Sequence, residues 1–384
     1  MSSRRVLLVT NDLGPRAGGI ETFILGLLDQ LDGREIVIYT AAQKDSAEFD
    51  AALAAKTGVI VIRDKSSILI PTPAINRRVR KVLAEYQSEI IWFGAAMPLA
   101  WMSGLLKRAG AKRVVALTHG HEVWWAKLPP FKWIFARSTR SIDVLTYLGE
   151  FTKKAMAPVV HSSCSMVQIA PGISIDHFTP GIKSPELIKE FDLEGKQVLI
   201  SVGRLVHRKG QDKLLEALPQ ILLQHPDVVL LFVGIGPRKA KLDQLVKKFE
   251  LESYVRFVGR VKYENLPKYF RLGDLFVMPS RSRLAGLEVE GLGIVYLEAS
   301  ASGIAVLAGK SGGAPDAVIV GETGEIVDGT NVDEIAHAIN QMLDNPNALA
   351  KMGTVGRAWT EERWAWNIWG ERFKEVLFGN EMIG

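Results

Sequence analysis

Short apolar runs rich in valine and isoleucine alternate along this chain with stretches whose apolar positions recur every three or four residues. In the first half the runs are "RVLLVT", "EIVIYT", "GVIVI", "EIIWF", "RVVAL" and "DVLTY". Their continuity predicts strands buried on both faces, and the amphipathic stretches 19–31, 74–87, 98–108 and 149–158 between them predict helices. "QIAPGISIDHFTP" (168–180) breaks the rhythm with Pro171, Gly172 and Pro180 and reads as a domain boundary. The pattern then restarts with "QVLISVG", "VVLLFVG", "VRFVG", "LFVMP", "IAVLA" and "GEIVD". The fold class expected is α/β, as two Rossmann-like doubly wound domains facing across a cleft, over 1–169 and 170–359. The tail 359–378 reads as one helix with Trp364, Ile368 and Leu377 on a common face, and about 360–384 is expected to pack back on the first domain.

Size and composition agree with this. A chain of 384 residues exceeds one ordinary core, and 47% hydrophobic with 23% charged residues is a globular composition. Cys164 is the only cysteine, which excludes a disulfide framework and a cysteine-based metal site. The opening "MSSRRVLLVTND" is too short in apolar residues for a signal sequence, and a cytoplasmic chain is expected. The net charge of +5 is uneven: residues 63–81 carry a local +5 and residues 107–141 a local +7. An anionic partner for the first half follows from that excess.

Candidate chemistry sits where strands hand over to helices. Gly18 and Gly19 in "NDLGPRAGGIETF" can offer backbone amides to an anion, although a tight turn would use the same residues. "SVGRLVHRKGQD" places Arg204 and Lys209 on one switch-point loop, suited to a diphosphate by forked hydrogen bonds and a point charge. Arg208 beside them has no evident direction. Gly312 and Gly313 in "KSGGAPD" offer a second amide cradle, whereas "GIAVLAGKS" misses the phosphate-loop spacing. His119 and His121 in "LTHGHEVWW" lack a third metal ligand, so His119 reads better as a donor to a substrate hydroxyl or carbonyl. No D-x-D triplet occurs, so a diphosphate leaving group would rely on Arg204, Lys209, amides and helix dipoles.

Taken in order, "PRAGGIETF", "THGHE", "APGISIDHF", "VGRLVHRKG", "FVGRV" and the E-x7-E of "EVEGLGIVYLE" followed by "ASASG" resemble glycosyltransferase family 4. The resemblance implies the GT-B fold, retention of configuration and no metal or other cofactor. "WFGAAMPLAWM", "THGHEVWW", "IDVLTY" and "GLEVEGLGIVYLEA" look more narrowly like the actinobacterial mannosyltransferases that act on phosphatidylinositol mannosides. By that resemblance GDP-mannose is the donor, the acceptor is an anionic phosphoinositide-type lipid, and the linkage is alpha-1,6. Carried onto this chain, it implies that Arg204 and Lys209 neutralise the diphosphate and that Gly19 offers it an amide. Val258, Gly259, Arg260 and Val261 would grip the base through their backbone. Glu290 would bind sugar hydroxyls, Gly291, Leu292, Gly293 and Ile294 would surround sugar and phosphate, and Glu298 would hold the ribose. His119 would lie near the reacting carbon, making His119 and Glu290 the candidate catalytic pair. The loop "SRSRLAGLEVEG" adds two arginines and Glu288, which puts donor choice in doubt.

Glu290 and Glu298 are too far apart for hydrolase chemistry if one helix carries both, since eight helical steps span roughly 12 Å. They read as a ruler, with one end at the sugar and the other at the ribose. On the acceptor side Arg77, Arg78, Arg80 and Lys81 line a basic helix, and Trp124 and Trp125 precede further basic residues up to 140. Basic and aromatic residues together suit the inner face of a plasma membrane, and no nucleic-acid module is recognisable. Two alternatives stay open: a family 4 transferase with another nucleotide sugar and a soluble acceptor, and a non-catalytic binding module that kept the fold.

Overall fold

Thirteen strands form two parallel sheets in a computed structural model that describes residues 5–16, 18–286 and 288–379. The first sheet holds β1 (Val6–Thr10), β2 (Ile36–Thr40), β3 (Ile60–Arg63), β4 (Ile90–Phe93), β5 (Arg113–Ala116), β6 (Val144–Tyr147) and β7 (Ser165–Gln168), in the order β3-β2-β1-β4-β5-β6-β7. The strand order reverses beside β1, whose Val6 pairs with Ile36 on one side and Ile90 on the other. Every residue of β1, β2 and β4 is buried, as continuous apolar runs require when helices cover both faces. Strand β7, "SMVQ", is not among the expected runs, because only Met166 and Val167 of its four residues are apolar and none of the four is buried.

The second sheet holds β8 (Gln197–Val202), β9 (Val228–Val233), β10 (Val255–Gly259), β11 (Leu275–Met278), β12 (Ala305–Gly309) and β13 (Gly324–Val327), in the order β10-β9-β8-β11-β12-β13. Each coincides with an expected run. Two Rossmann-like parallel sheets of seven and six strands therefore make up the chain, as the alternating pattern requires.

The chain divides into a first unit of residues 1–172 with 366–384 and a second of residues 173–365. The tail is two helices, Pro346–Arg363 and Trp366–Phe378. Its break has a local cause: the Ile173 amide donates to the Trp364 carbonyl at 2.7 Å, and Ile173 bridges Ala365. Trp364 and Leu377 consequently do not share a face. Trp364 packs on Trp359 in the second unit, while Phe373 packs on the fully buried Trp92 of β4, with ring centroids 4.9 Å apart. In that unit the Trp366 ring fills the space beside Gly26, where a Cβ would collide with it.

Candidate active site

In the second unit, the carboxyl end of β8 leads through Gly203 and Arg204 into a single turn, His207–Lys209, and then the helix Gln211–Leu222. Gly210 at the joint has φ +75°, and a side chain there would strike the Pro279 carbonyl after β11. The turn thereby points Lys209 inward. Its side chain is 9% exposed, and its Nζ lies 2.8 Å from Oε2 of Glu290, itself 10% exposed. Arg208 does have a direction: its Nε is 3.8 Å from Glu290 and its Nη1 3.9 Å from Glu288. Arg204 stays exposed, with its carbonyl accepting from Gln211 Nε2 at 3.3 Å. Two cations of this loop, Arg208 and Lys209, thus converge on the carboxylates of Glu288 and Glu290.

Behind this loop lies a buried network that the sequence pattern did not suggest. Arg281, 5% exposed, donates to Asp212 Oδ2 at 2.7 Å and to His207 Nδ1 at 2.9 Å, while its amide donates to the Arg208 carbonyl at 2.8 Å. Burial alone would raise the Asp212 pKa, but the hydrogen bond and charge of Arg281 hold it below the usual carboxylate range. Burial and the neighbouring Arg281 charge both lower His207, keeping its ring neutral. The network ties the strand end at 279–281 to the turn 207–209. Asp212 offered only the faint signal of an acid in a helix first turn, and its partner stands 69 residues away. Arg283 is likewise engaged, 2.8 Å from Glu288. Neither arginine of "SRSRLAG" is free to select a donor.

Glu290 is clamped by its own backbone: its carbonyl accepts from the Gly313 amide at 2.8 Å and its amide donates to Ser311 Oγ at 3.3 Å. The Gly313 amide is therefore spent on this contact and is not offered to an anion, and a one-turn segment, Ala314–Ala317, follows it. The helix begins at Ile294, not before, with Gly293 as its cap at φ +80°. Glu290 consequently stands in the loop outside the helix, and the eight-step helical spacing to Glu298 does not apply. Gly291, Leu292, Gly293 and Ile294 form the turn into that helix. Tyr296 anchors the helix, its hydroxyl 2.8 Å from both Ser280 Oγ and the Met278 carbonyl.

Glu298 lies half-buried on the same helix, and burial pushes its pKa up to about 7 against the pull of Lys209. Tyr263, whose ring stacks on His177 at 4.8 Å, feels the Glu298 charge. At the end of β10, Gly259 has φ +84° and accepts from the Gly234 amide at 2.8 Å, leaving Val258, Arg260 and Val261 partly or fully accessible.

In the first unit, His119 follows β5. Its Nε2 lies 2.6 Å from the Gly94 carbonyl, and its amide donates to Glu122 Oε2 at 2.9 Å. A carbonyl cannot donate, so Nε2 carries the proton and Nδ1 is an acceptor. Burial lowers the His119 pKa, with Glu122 partly opposing, which keeps the ring neutral. His119 is thus built to accept from a hydroxyl, not to donate as expected. His121 stacks on it at 6.3 Å and approaches Glu122 Oε1 at 3.3 Å. No group of three metal-ligating side chains occurs among the described residues. Gly19 is exposed in the first turn of the helix Gly19–Leu28, while the Gly18 amide donates to Glu21 at 3.0 Å.

The helix Pro73–Glu85 exposes Arg77, Arg80 and Lys81. Arg78 belongs elsewhere: it donates to the fully buried Asp64 at 2.6 Å and is not available to a lipid. Trp124 and Trp125 are half-buried against each other and Phe131, with ring centroids 4.9–5.0 Å apart. No helix among the described residues is long and apolar enough to cross a membrane.

Two family descriptions match the chain, Glycosyltransferase Family 4 over residues 17–177 and Glycosyl transferases group 1 over residues 183–359. It is 40% identical, over 97% of its length and 98% of theirs, to the GDP-mannose-dependent alpha-(1-6)-phosphatidylinositol monomannoside mannosyltransferase of Mycolicibacterium smegmatis. It is 38% identical to the GDP-mannose-dependent monoacylated alpha-(1-6)-phosphatidylinositol monomannoside mannosyltransferase of Corynebacterium glutamicum, over 98% of both chains. Anabaena HepE, solved in complex with UDP, superposes with a TM-score of 0.81 at 18% identity, covering 97% of this chain and 99% of that one.

Proposed function

The chain belongs to glycosyltransferase family 4, with the GT-B fold, and from that premise we propose that it moves mannose from GDP-mannose to a phosphatidylinositol mannoside, forming an alpha-1,6 linkage with retention and without a metal. The observation that carries the donor half is the buried Lys209–Glu290 pair with Arg208 beside it. As the bond between the mannose anomeric carbon and the phosphate oxygen breaks, negative charge grows on the diphosphate. Lys209 meets that charge from a buried, preorganised position that water screens poorly, and Arg204 meets it from the exposed start of the same loop. Glu290 accepts from mannose hydroxyls, Glu298 from the ribose, and neutral His119 from a hydroxyl through Nδ1. Val258, Gly259, Arg260 and Val261 hold the base, and the amides of Gly19 and of Gly291 to Ile294 contact phosphate and sugar.

The acceptor half is supported by whole-length identity to enzymes whose names specify that acceptor and by the exposed basic residues Arg77, Arg80 and Lys81. These would hold the chain at the inner face of the plasma membrane by attraction to anionic lipid. The test is incubation of the full chain with labelled GDP-mannose and a phosphatidylinositol mannoside, with and without a chelator. Labelled lipid in both is expected. Transfer from UDP- or ADP-sugars in place of GDP-mannose would overturn the donor, and loss with chelator would overturn metal independence.

A further inference from the structure

The first unit carries an amphipathic groove of about 450 Å³ that the chemistry above does not use. The helices Ser103–Arg108 and Phe131–Thr139 wall it. At its rim Trp101 and Trp133 are 39% and 65% exposed, with ring centroids 5.9 Å apart, and Leu105 beside them is 45% exposed. Gly104 keeps the floor open, since a Cβ there would come within 3.1 Å of Ser141 Oγ.

The charges around this groove are unequal in availability. Lys107 is tied to Asp143 at 2.6 Å. Arg108 and Arg137 are exposed, line the groove, and have no carboxylate within ion-pair distance among the described residues. No acidic residue lines it. A guanidinium fork matches a phosphate, and the Ser141 hydroxyl can hydrogen-bond to it. Exposed tryptophan pairs are costly in water but stable at the headgroup level of a bilayer, where the ring body is apolar and the N–H stays solvated. A water-soluble phosphate would need the arginines alone. The combination requires a phosphate attached to an interface.

We propose that this groove binds the phosphate of an anionic phospholipid between Arg108 and Arg137, with Trp101 and Trp133 set among the headgroups. It is a membrane-docking site distinct from the helix Pro73–Glu85. It rests on the proposed function only in placing the chain at an anionic bilayer.

The test is co-sedimentation of the full chain with phosphatidylcholine vesicles with and without phosphatidylglycerol, in the absence of donor. Each basic residue at such a surface contributes about fivefold in partitioning, so Arg108→Ser with Arg137→Ser should weaken binding to the anionic vesicles roughly 25-fold. Trp133→Ser should weaken binding to both vesicle types. GDP affinity and Tm should not change in either variant. Equal sedimentation of wild type and the double arginine variant overturns the site. Competition by free glycerol phosphate at concentrations near that of the protein overturns the lipid assignment in favour of a soluble phosphate, and displacement by a single-stranded oligonucleotide overturns it in favour of nucleic acid. Transfer to a detergent-solubilised acceptor is the separate readout of the proposed function. A double variant that loses vesicle binding but keeps that transfer supports the groove as a docking site.

Discussion

Lys209 Nζ sits 2.8 Å from Glu290 Oε2, with both side chains about nine-tenths buried. An ion pair in such surroundings depends on both partners, because removing one leaves an uncompensated charge. The pair also preorganises the donor site: the carboxylate expected to bind the sugar holds the cation expected to bind the phosphate.

Lys209→Ala should abolish transfer, with kcat falling by at least about 10²–10³ as the leaving diphosphate loses its principal cation. It should also destabilise the fold by roughly 3–5 kcal/mol, since Glu290 is left buried and unpaired. Adding Glu290→Gln to Lys209→Ala should restore most of the Tm but none of the activity. Thermal melts beside single-turnover assays check this, and unchanged turnover in Lys209→Ala would contradict its role.

Arg281 touches no expected substrate position, yet it ties Asp212 to the turn that carries Lys209. Arg281→Lys should lower kcat/KM by roughly 10–100-fold, because an ammonium cannot bridge two acceptors in the fork geometry. The loss should appear as weaker GDP-mannose affinity together with a lower kcat. A variant with wild-type kinetics would show the network to be structural only.

The pKa of Glu298, pushed up to about 7 by burial, makes donor binding pH-dependent. In the proposed donor complex ribose hydroxyls donate to the ionised carboxylate, so binding should draw its pKa down and release a proton. Affinity for GDP-mannose should therefore rise as pH increases through about 7, and Glu298→Gln should bind weakly with that slope removed. For folding the sign is opposite. The native group keeps its proton above the ordinary glutamate value of 4.5, so stability falls as pH rises from there toward 7. Calorimetry in two buffers of different ionisation heat measures the proton released.

Arg77, Arg80 and Lys81 are exposed while their neighbour Arg78 is paired, which separates two effects on one helix. Serine at Arg77, Arg80 and Lys81 together should reduce anionic-vesicle binding without changing Tm or GDP affinity. Arg78→Ala should do the reverse, lowering Tm because Asp64 loses the partner that holds its pKa far below the usual range against burial. Vesicle binding that falls equally in both would dissolve the distinction.

The alternation of apolar runs and amphipathic stretches by itself determined two parallel α/β sheets, because strands buried on both faces must be continuously apolar and the intervening helices must each bury one stripe. It determined twelve of the thirteen strands among the described residues, and missed β7 because only two of its four residues are apolar. The loops at strand ends named Arg204, Lys209, Glu290 and His119 as candidates, since charge and glycine at a switch point are local facts. What those residues touch was decided only by tertiary structure. Arg77 and Arg78 are neighbours of the same charge, yet the helix turns one to water and the other onto Asp64. Arg281 and Asp212 meet across 69 residues. His119 became an acceptor because the Gly94 carbonyl, from another strand end, accepts from its Nε2–H and leaves Nδ1 unprotonated. Composition and period encode burial, which neighbouring residues set together; pairing, protonation and availability depend on groups that only the folded chain brings within a few ångströms.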